Sequence, residues 1–195
     1  MRSLLSCAIT FLLASVALAS IDLTPMPSDY EEDGFKYRML TFKHGERKIE
    51  YVPPGSWAVR GAPDRLQLNP PDSRFAEAIV QAVPLEQAVV LDEARMAALE
   101  QQIIATLPAG SQSPEVLQRL DNPIMLGGQP SFGVVVAYQN LGQKFQRSVV
   151  FVHAADVQLV LRFTAEKSEF DKLYSIFRQS LTSWHWKQSA AAAAP

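Results

Sequence analysis

Cysteine is almost absent from this chain of 195 residues, which contains only Cys7. Cys7 lies in the opening segment MRSLLSCAITFLLASVALAS, where Arg2 precedes an apolar run that ends in the small-x-small sequence Ala17-Leu18-Ala19. This pattern is typical of a secretory signal peptide and predicts cleavage after Ala19. Because cleavage would remove the one cysteine, the exported protein would depend on its hydrophobic core for stability, without disulfides.

The same segment argues against two kinds of membrane attachment. LLSC loosely matches a lipid-attachment box, but only six residues precede Cys7 and most of the apolar run follows it. A lipid anchor there would precede a complete targeting signal. The apolar run is also too short, and too close to its cleavage site, for a stable membrane span. We therefore expect a periplasmic or secreted protein with no stable membrane span after cleavage.

Basic runs are missing as well. Lys and Arg number 18 against 20 Asp and Glu, for a formal net charge of −2, and loss of Arg2 with the leader makes the mature chain slightly more negative. This balance argues against a nucleic-acid binder and against a polybasic membrane patch. No basic stripe with interleaved aromatic residues is present for single-stranded nucleic acid.

Histidine is scarce and reactive motifs are lacking. His44, His153 and His185 are far apart, no H-E-x-x-H occurs and no cysteine survives export, so zinc is not expected. There is no G-x-S-x-G elbow, no S-x-x-K and no thiolate for nucleophilic catalysis. At the end of an apolar strand, His153 is interpreted as an exposed or hydrogen-bonded structural residue. The sequence therefore predicts no catalytic residue.

Two further motifs are weak. Asp29, Glu31 and Asp33 resemble the first half of a calcium loop, but the twelfth position, where a bidentate acid is required, is Leu40. The segment is interpreted as solvated and acidic. The glycines of LGGQPSFG precede a strand, whereas a phosphate-binding loop follows a strand and opens a helix. They are interpreted as a tight turn into the central sheet, so neither a metal nor a cofactor is expected.

Hydrophobic periodicity indicates a single domain over residues 35–186, between a flexible acidic lead-in at 20–34 and a disordered tail at 187–195. Phe35, Tyr37 and Met39 alternate with charged residues, HGE forms a turn, and Ile49 and Tyr51 continue a hairpin. Edge strands are predicted at 57–59 and 66–68, and another strand at 75–83. An amphipathic helix capped by Asp92 is predicted over 92–107. PEVLQRL is ambiguous, and we favour a strand.

The last third of the chain carries the clearest pattern. SFGVVVAYQ, KFQRSVVFVH and VQLVLRFTA are separated by short turns and are apolar on both alternating sets, which predicts antiparallel strands covered on both faces, partly by helices. A closing helix is predicted with a capping box at Ser168 and Asp171. Its stripe of Phe170, Leu173, Phe177, Leu181 and Trp184 is interpreted as core. His185 and Trp186, at or beyond the helix end, form either a structural lid, which we favour, or a small partner surface.

The order of these elements resembles a known fold. Over residues 35–186 the chain is similar in layout to the PsbP-like, or Mog-type, α/β/α sandwich. The features that carry the resemblance are the hairpin, the proline stop in PPGSW, the middle helix, LGGQPSFGVVVAY, two more strands and FDKLYSIFRQSLTSW. In that family the C-terminal helix usually ends near a serine and an aromatic residue, as at Ser180 and Trp184. The resemblance implies an α+β protein, an antiparallel sheet covered by helices. Most members are not enzymes, and no motif allows functional residues to be transferred.

Three functions remain open from the sequence. The leading hypothesis is an exported, non-catalytic binding, adaptor or assembly factor of the cell envelope, with another envelope protein as its partner. Its rival is a hydrolase with a dispersed site, in which His153 would meet a serine and a carboxylate in a deep pocket. The third is a structural envelope component tethered by the acidic N-terminal segment. Fold alone cannot decide between them.

Overall fold

β-strands dominate the computed structural model, which describes residues 21–87, 89–154 and 156–188. The predicted signal peptide, its cleavage site and residues 189–195 of the predicted tail lie outside these ranges. Within them the chain forms two helices and eleven strands. The helices are α1 (Glu93–Ala105) and α2 (Lys167–Leu181), and the strands are β1 (Ile21–Glu32), β2 (Phe35–His44), β3 (Arg47–Tyr51), β4 (Ala58–Ala62), β5 (Arg65–Asn69), β6 (Glu77–Pro84), β7 (Gln112–Asp121), β8 (Ser131–Asn140), β9 (Gln143–His153), β10 (Val157–Glu166) and β11 (His185–Gln188).

The strands form two antiparallel sheets. The large sheet has the order β4-β5-β6-β10-β9-β8-β7, and the small sheet has the order β1-β2-β3-β11. Strands β8, β9 and β10 follow one another through short turns, as predicted, and Val149 pairs with both Val134 and Arg162. The strand predicted at 66–68 is β5, which lies inside the sheet between β4 and β6; β4 is the edge strand. Neither α1 nor α2 is long and apolar enough to cross a membrane.

The central strands are covered on both faces, which confirms that part of the prediction. On one face, Leu99 and Ile103 of α1 pack against Phe132, Val134 and Phe151. On the other face, α2 and the small sheet enclose a larger cluster. Each large aliphatic or aromatic side chain buried in this way contributes about 1.5–3 kcal/mol. The fold is therefore antiparallel with helical cover, but it is mostly β, and the small sheet supplies cover that the prediction assigned to helices.

The two helices begin differently. Asp92 caps α1 as predicted, because its Oδ1 accepts a hydrogen bond of 2.8 Å from the Arg95 amide. The capping box predicted at Ser168 is wrong. Strand β10 runs directly into α2, whose cap residue Glu166 makes no side-chain hydrogen bond, so Ser168 is already inside the helix. The predicted apolar stripe of α2 is confirmed as core: Phe170, Phe177 and Leu181 are buried, and Trp184, just after the helix, is 2% exposed.

The N-terminal part of the domain corrects two predictions. Residues 21–32 are strand β1 and not a flexible lead-in, because they pair along β2 and place Ile21 and Leu23 in the core. In β2, the alternation that begins at Phe35 does not face the core, since Phe35 is 67% exposed. The buried face is Leu40, Phe42 and His44. The exposed half of β2 is the half next to the β1–β2 turn at Asp33 and Gly34, and there the apolar residues remain at the surface.

Candidate functional site

Strand β11 determines where the two candidate partner residues lie. Residues 185–188 form an edge strand of the small sheet, so residues 187 and 188, predicted as tail, belong to a strand. His185 pairs with Glu50 and Trp186 pairs with Ile49 of β3. Lys187 adds an ion pair with Glu50 at 3.1 Å.

A cavity of about 400 Å³ lies beneath this strand, and we call it the tryptophan cavity. Its walls come from the end of β2, the start of β3, the loop before β8, the turn between β9 and β10, and the chain that leaves α2. The structure thus brings His185 and Trp186 together at one site. The lining residues are His44, Arg47, Gly127, Gln129, Ala154, Asp156, Trp184, His185 and Trp186.

His44 occupies the inner wall of the cavity. It is the last residue of β2, on the same face as Leu40 and Phe42, and only 3% of its surface is exposed. Its Nε2 lies 3.1 Å from Oδ2 of Asp156, although the pair does not have hydrogen-bond geometry. The Trp186 ring meets the imidazole edge-on at 5.4 Å between centroids. The cavity therefore holds an imidazole–carboxylate pair beside an indole.

The polar atoms of these rings are unusual in having no partner. The Nε1 of Trp184, the Nε1 of Trp186 and the Nδ1 of His44 are buried, and none has a hydrogen-bond partner among the described residues. Indole Nε1–H can only donate. Leaving a buried donor unpaired costs about 1–3 kcal/mol, and most buried polar groups in proteins are paired. A ligand with acceptor oxygens would relieve this cost if it reached these atoms.

The opposite wall depends on a glycine. Gly127 has a φ of +61°, and a Cβ at this position would lie 2.7 Å from Cδ1 of Trp186. Both the backbone conformation and the close approach of the indole therefore require glycine. Gly128 follows with a φ of +75°, so the glycine pair makes the turn that the sequence predicted before the central sheet.

The end of α2 is anchored beside the cavity by hydrogen bonds. The Ser180 hydroxyl donates to the carbonyl of Phe177 at 2.7 Å and lies 2.8 Å from the Tyr51 hydroxyl. Burial raises the pKa of Tyr51, and the Ser180 hydrogen bond opposes that rise. Trp184 then packs on Tyr51, with ring centroids 5.5 Å apart. These contacts hold Trp184 in place against the core, which supports its interpretation as a packing residue.

His153, the histidine on which a dispersed hydrolase site was based, lies elsewhere. It is 4% exposed, and its Nε2 lies 2.9 Å from Oε1 of Gln158, so it is a hydrogen-bonded structural histidine, as predicted. Burial lowers its pKa, the Gln158 hydrogen bond opposes this, and the charge of Arg95 adds to the lowering. Within the described ranges no three His, Cys, Asp or Glu side chains are grouped to hold a metal ion.

A larger groove of about 1030 Å³ runs between α2 and strands β7 and β8. Its walls include Leu117, Met125 and Val135, with Asp171 and Arg178 on the helix side. None of its lining side chains carries a buried polar atom without a partner in the part of the chain described. Of the two, the tryptophan cavity is therefore the stronger candidate, because its lining contains buried indole donors without a partner among the described residues.

Sequence reasoning did not find His44, Asp156 or Arg47 as members of this site. One signal was available for His44, since it follows Leu40 and Phe42 at the two-residue spacing of a single strand face. Nothing in the sequence links Asp156 to it, because the two residues are 112 positions apart and meet only when the sheets pack.

Comparisons with known proteins bear on the fold. No protein-family model matches the chain, and the curated proteins contain no significant match. Among solved structures, the chain is similar to cyanobacterial PsbP (CyanoP) from Synechocystis sp. PCC 6803, with 13% identity, a TM-score of 0.51, and coverage of 93% of this chain and 98% of that one. The chain therefore has a PsbP-like fold, as its layout predicts.

Two further structures show weaker similarity. LpqN of Mycobacterium tuberculosis, described as involved in cell envelope biogenesis, has 15% identity and a TM-score of 0.47, with coverage of 86% of this chain and 91% of LpqN. PA94 of Pseudomonas aeruginosa, a protein of unknown function, has 14% identity and a TM-score of 0.39, with coverage of 80% and 93%. At these identities the likeness concerns the fold alone.

Proposed function

We propose that this chain is an exported, non-catalytic binding protein of the cell envelope, and that the tryptophan cavity receives an acceptor-bearing group of its partner. The observation that carries the proposal is that three rings around one cavity, Trp184, Trp186 and His44, have buried nitrogens without a hydrogen-bond partner among the described residues. Donor-only groups select oxygen acceptors such as a carboxylate or a carbonyl. Export is supported by the N-terminal sequence pattern.

The rim of the cavity suits a protein partner. Arg47 and His185 are exposed at its mouth, while Trp186 is half-buried behind them. Tryptophan and arginine are enriched among residues that dominate binding energy, and a charge-assisted hydrogen bond from Arg47 would orient a carboxylate. We therefore assign the partner surface to His185 and Trp186 together with Arg47, and we expect the partner to be another envelope protein.

Capture from an envelope fraction tests the proposal. Wild-type mature chain should retain a specific protein that Trp186→Phe loses, because phenylalanine keeps an aromatic ring but removes the Nε1–H. Lys172→Gln, on the exposed side of α2, is the matched control and should retain the same protein. Equal retention by wild type and Trp186→Phe, or no specific retention by any of them, would count against the cavity as the binding site.

A second function is favoured by the His44–Asp156 pair, whose imidazole and carboxylate are 3.1 Å apart at a cavity. Such a pair activates nucleophiles in hydrolases. The lining residues include no serine, threonine or cysteine, so water would have to be the nucleophile. A panel of ester and amide substrates separates the two functions. Turnover that is lost in His44→Gln but kept in Trp186→Phe would indicate a hydrolase, whereas its absence in wild type would exclude hydrolysis of the tested classes.

A further inference from the structure

The large sheet is only half covered on its outer face. Helix α1 packs on β8 and β9, while on the same face β4, β5, β6 and β10 present mainly polar side chains, together with Ile79 and Val160. The pairing registers place Arg60 opposite Gln67, Arg65 opposite Gln81, and Arg147 opposite Thr164. We call this surface the arginine face, defined by Arg60, Arg65, Arg147 and Arg162 with Gln67 and Gln81.

The charge on the arginine face is unbalanced. Four arginines share it with Glu77 at the start of β6 and Glu166 at the end of β10. The whole chain has a formal net charge of −2, so positive charge is concentrated here against the overall sign. Such a cluster of positive charge attracts anions and raises their concentration near the surface.

Arg147 is the buried cation of this surface. It is 4% exposed, its Nε donates to Oγ1 of Thr164 at 3.0 Å, and its Nη1 donates to the carbonyl of Thr106 at 3.0 Å. Thr106 caps the C-terminal end of α1, which supplies only partial negative charge. No carboxylate of the described chain lies within ion-pair distance of Arg147. Burial lowers its pKa and Arg162 also lowers it, whereas Tyr138, over whose ring the guanidinium lies, and Glu77 raise it.

Arg162 lies diagonally across from Arg147, because Arg147 pairs with Thr164, two residues further along β10. Its Nη2 donates to Oε1 of Glu77 at 3.2 Å, while its Nε is buried and has no partner within the described residues. The side chain as a whole is 28% exposed, so solvent reaches part of it but not the buried Nε. Among the described residues, Glu77 thus pairs with Arg162 alone, and the charge of Arg147 has no carboxylate within ion-pair distance.

We propose that the arginine face binds an oxyanion, a carboxylate or a phosphate, at Arg162. A planar guanidinium matches both groups with two parallel hydrogen bonds. Arg147 would stabilise the anion from behind through its charge. Arg60 is three strands away in the same cross-strand row, about 14 Å, and would help to steer the anion from the sheet edge. This site is independent of the tryptophan cavity.

Binding of defined anions tests the proposal. Wild-type mature chain would be titrated with inorganic phosphate, phenyl phosphate and acetate, with chloride at matched ionic strength as the reference. Saturable binding by calorimetry and a rise in Tm are expected for the oxyanions and not for chloride. Arg162→Gln should weaken the Kd at least about tenfold, because a charge-assisted hydrogen bond is lost. Vesicles with phosphatidylglycerol, compared with neutral vesicles, separate a lipid headgroup from a soluble anion as the source.

Arg119→Gln is the matched control, because Arg119 is also a strand arginine paired with a carboxylate, Glu100 at 2.6 Å, but lies on β7 at the opposite edge of the sheet from β4. It should leave the Kd within twofold. Arg162→Lys keeps the charge and should give an intermediate Kd, and circular dichroism checks that each variant is folded. Lack of saturable binding in wild type would overturn the proposal. So would an equal effect of Arg119→Gln and Arg162→Gln on the Kd, since the general attraction of the anion to positive charge would then explain the binding.

Discussion

Replacing Gly127 by alanine tests how the tryptophan cavity is built. A Cβ at this position would lie 2.7 Å from Cδ1 and 3.0 Å from Nε1 of Trp186, and the backbone φ is +61°. Gly128, the next residue, also has a positive φ, +75°, but a Cβ added to Gly128 would have no atom within 4 Å. The two substitutions therefore share the backbone penalty and differ in the contact with the indole.

The expected magnitudes follow from these two terms. A non-glycine residue in the left-handed region costs about 1–2 kcal/mol, and this should be the whole effect of Gly128→Ala. Displacing a packed ring adds about 1–3 kcal/mol, so Gly127→Ala should lower the free energy of unfolding by about 2–5 kcal/mol. For a domain of this size each kcal/mol lowers Tm by about 2–4 °C. The two variants should thus differ by several degrees.

Thermal unfolding followed by circular dichroism measures this difference. The same pair of variants in a Trp186→Ala background supplies the control, because without the indole Gly127→Ala should cost no more than Gly128→Ala. Equal Tm values for Gly127→Ala and Gly128→Ala in the otherwise wild-type chain would refute the reasoning. So would a difference that persists unchanged when Trp186 is absent, since the contact would then not be its cause.

Three further outcomes are expected. Because burial lowers the pKa of His153 below 6.5, His153 takes up a proton in the unfolded chain at a higher pH than in the folded chain. The free energy of unfolding should therefore fall as the pH drops below about 6.5. Urea titrations at pH 7 and pH 5 should show a smaller fall for His153→Gln. Tyr51→Phe should cost about 1 kcal/mol, because it removes the hydrogen bond to Ser180, while Ser180→Ala in that background should cost less than it does alone. Phe177→Ala should cost about 3–5 kcal/mol, whereas Ile176→Ala, on the exposed side of α2, should cost much less, as chemical denaturation will measure.

The parts of the fold that could be predicted are those with a local cause. The three strands from Ser131 to Glu166 were predictable because β-branched and aromatic residues occupy both alternating sets, which is typical of a sheet with two covered faces. Helix α1 was predictable because Asp92 can cap its first turn and Leu99 and Ile103 share one face. In each case the residues that predict the helix or strand lie within that same helix or strand, or in its cap.

The errors arose where local signals compete with pairing across the chain. Residues 21–32 are polar and contain prolines, which argued against a strand, yet an edge strand tolerates proline because one side of its backbone is unpaired. In their partner, β2, the apolar residues change faces along the strand, and only the second set is buried: Phe35 is exposed and Phe42 is buried. The alternation in a sequence shows that a strand has two faces, but only the packing of the sheets decides which face is covered.

The tryptophan cavity could be predicted from the sequence only in part. Trp184 and Trp186 were identifiable as aromatic residues at or just after the end of the last helix, but the cavity that they line also includes Gly127 and Asp156, which the sequence does not place beside them. His44 was open to prediction in one respect, since it continues the buried face of Leu40 and Phe42. A histidine in a core position of a strand must find a partner or remain unsatisfied. Such a residue therefore predicts that a polar group lies near the end of that strand, and here the carboxylate of Asp156 lies 3.1 Å from Nε2 of His44, although without hydrogen-bond geometry.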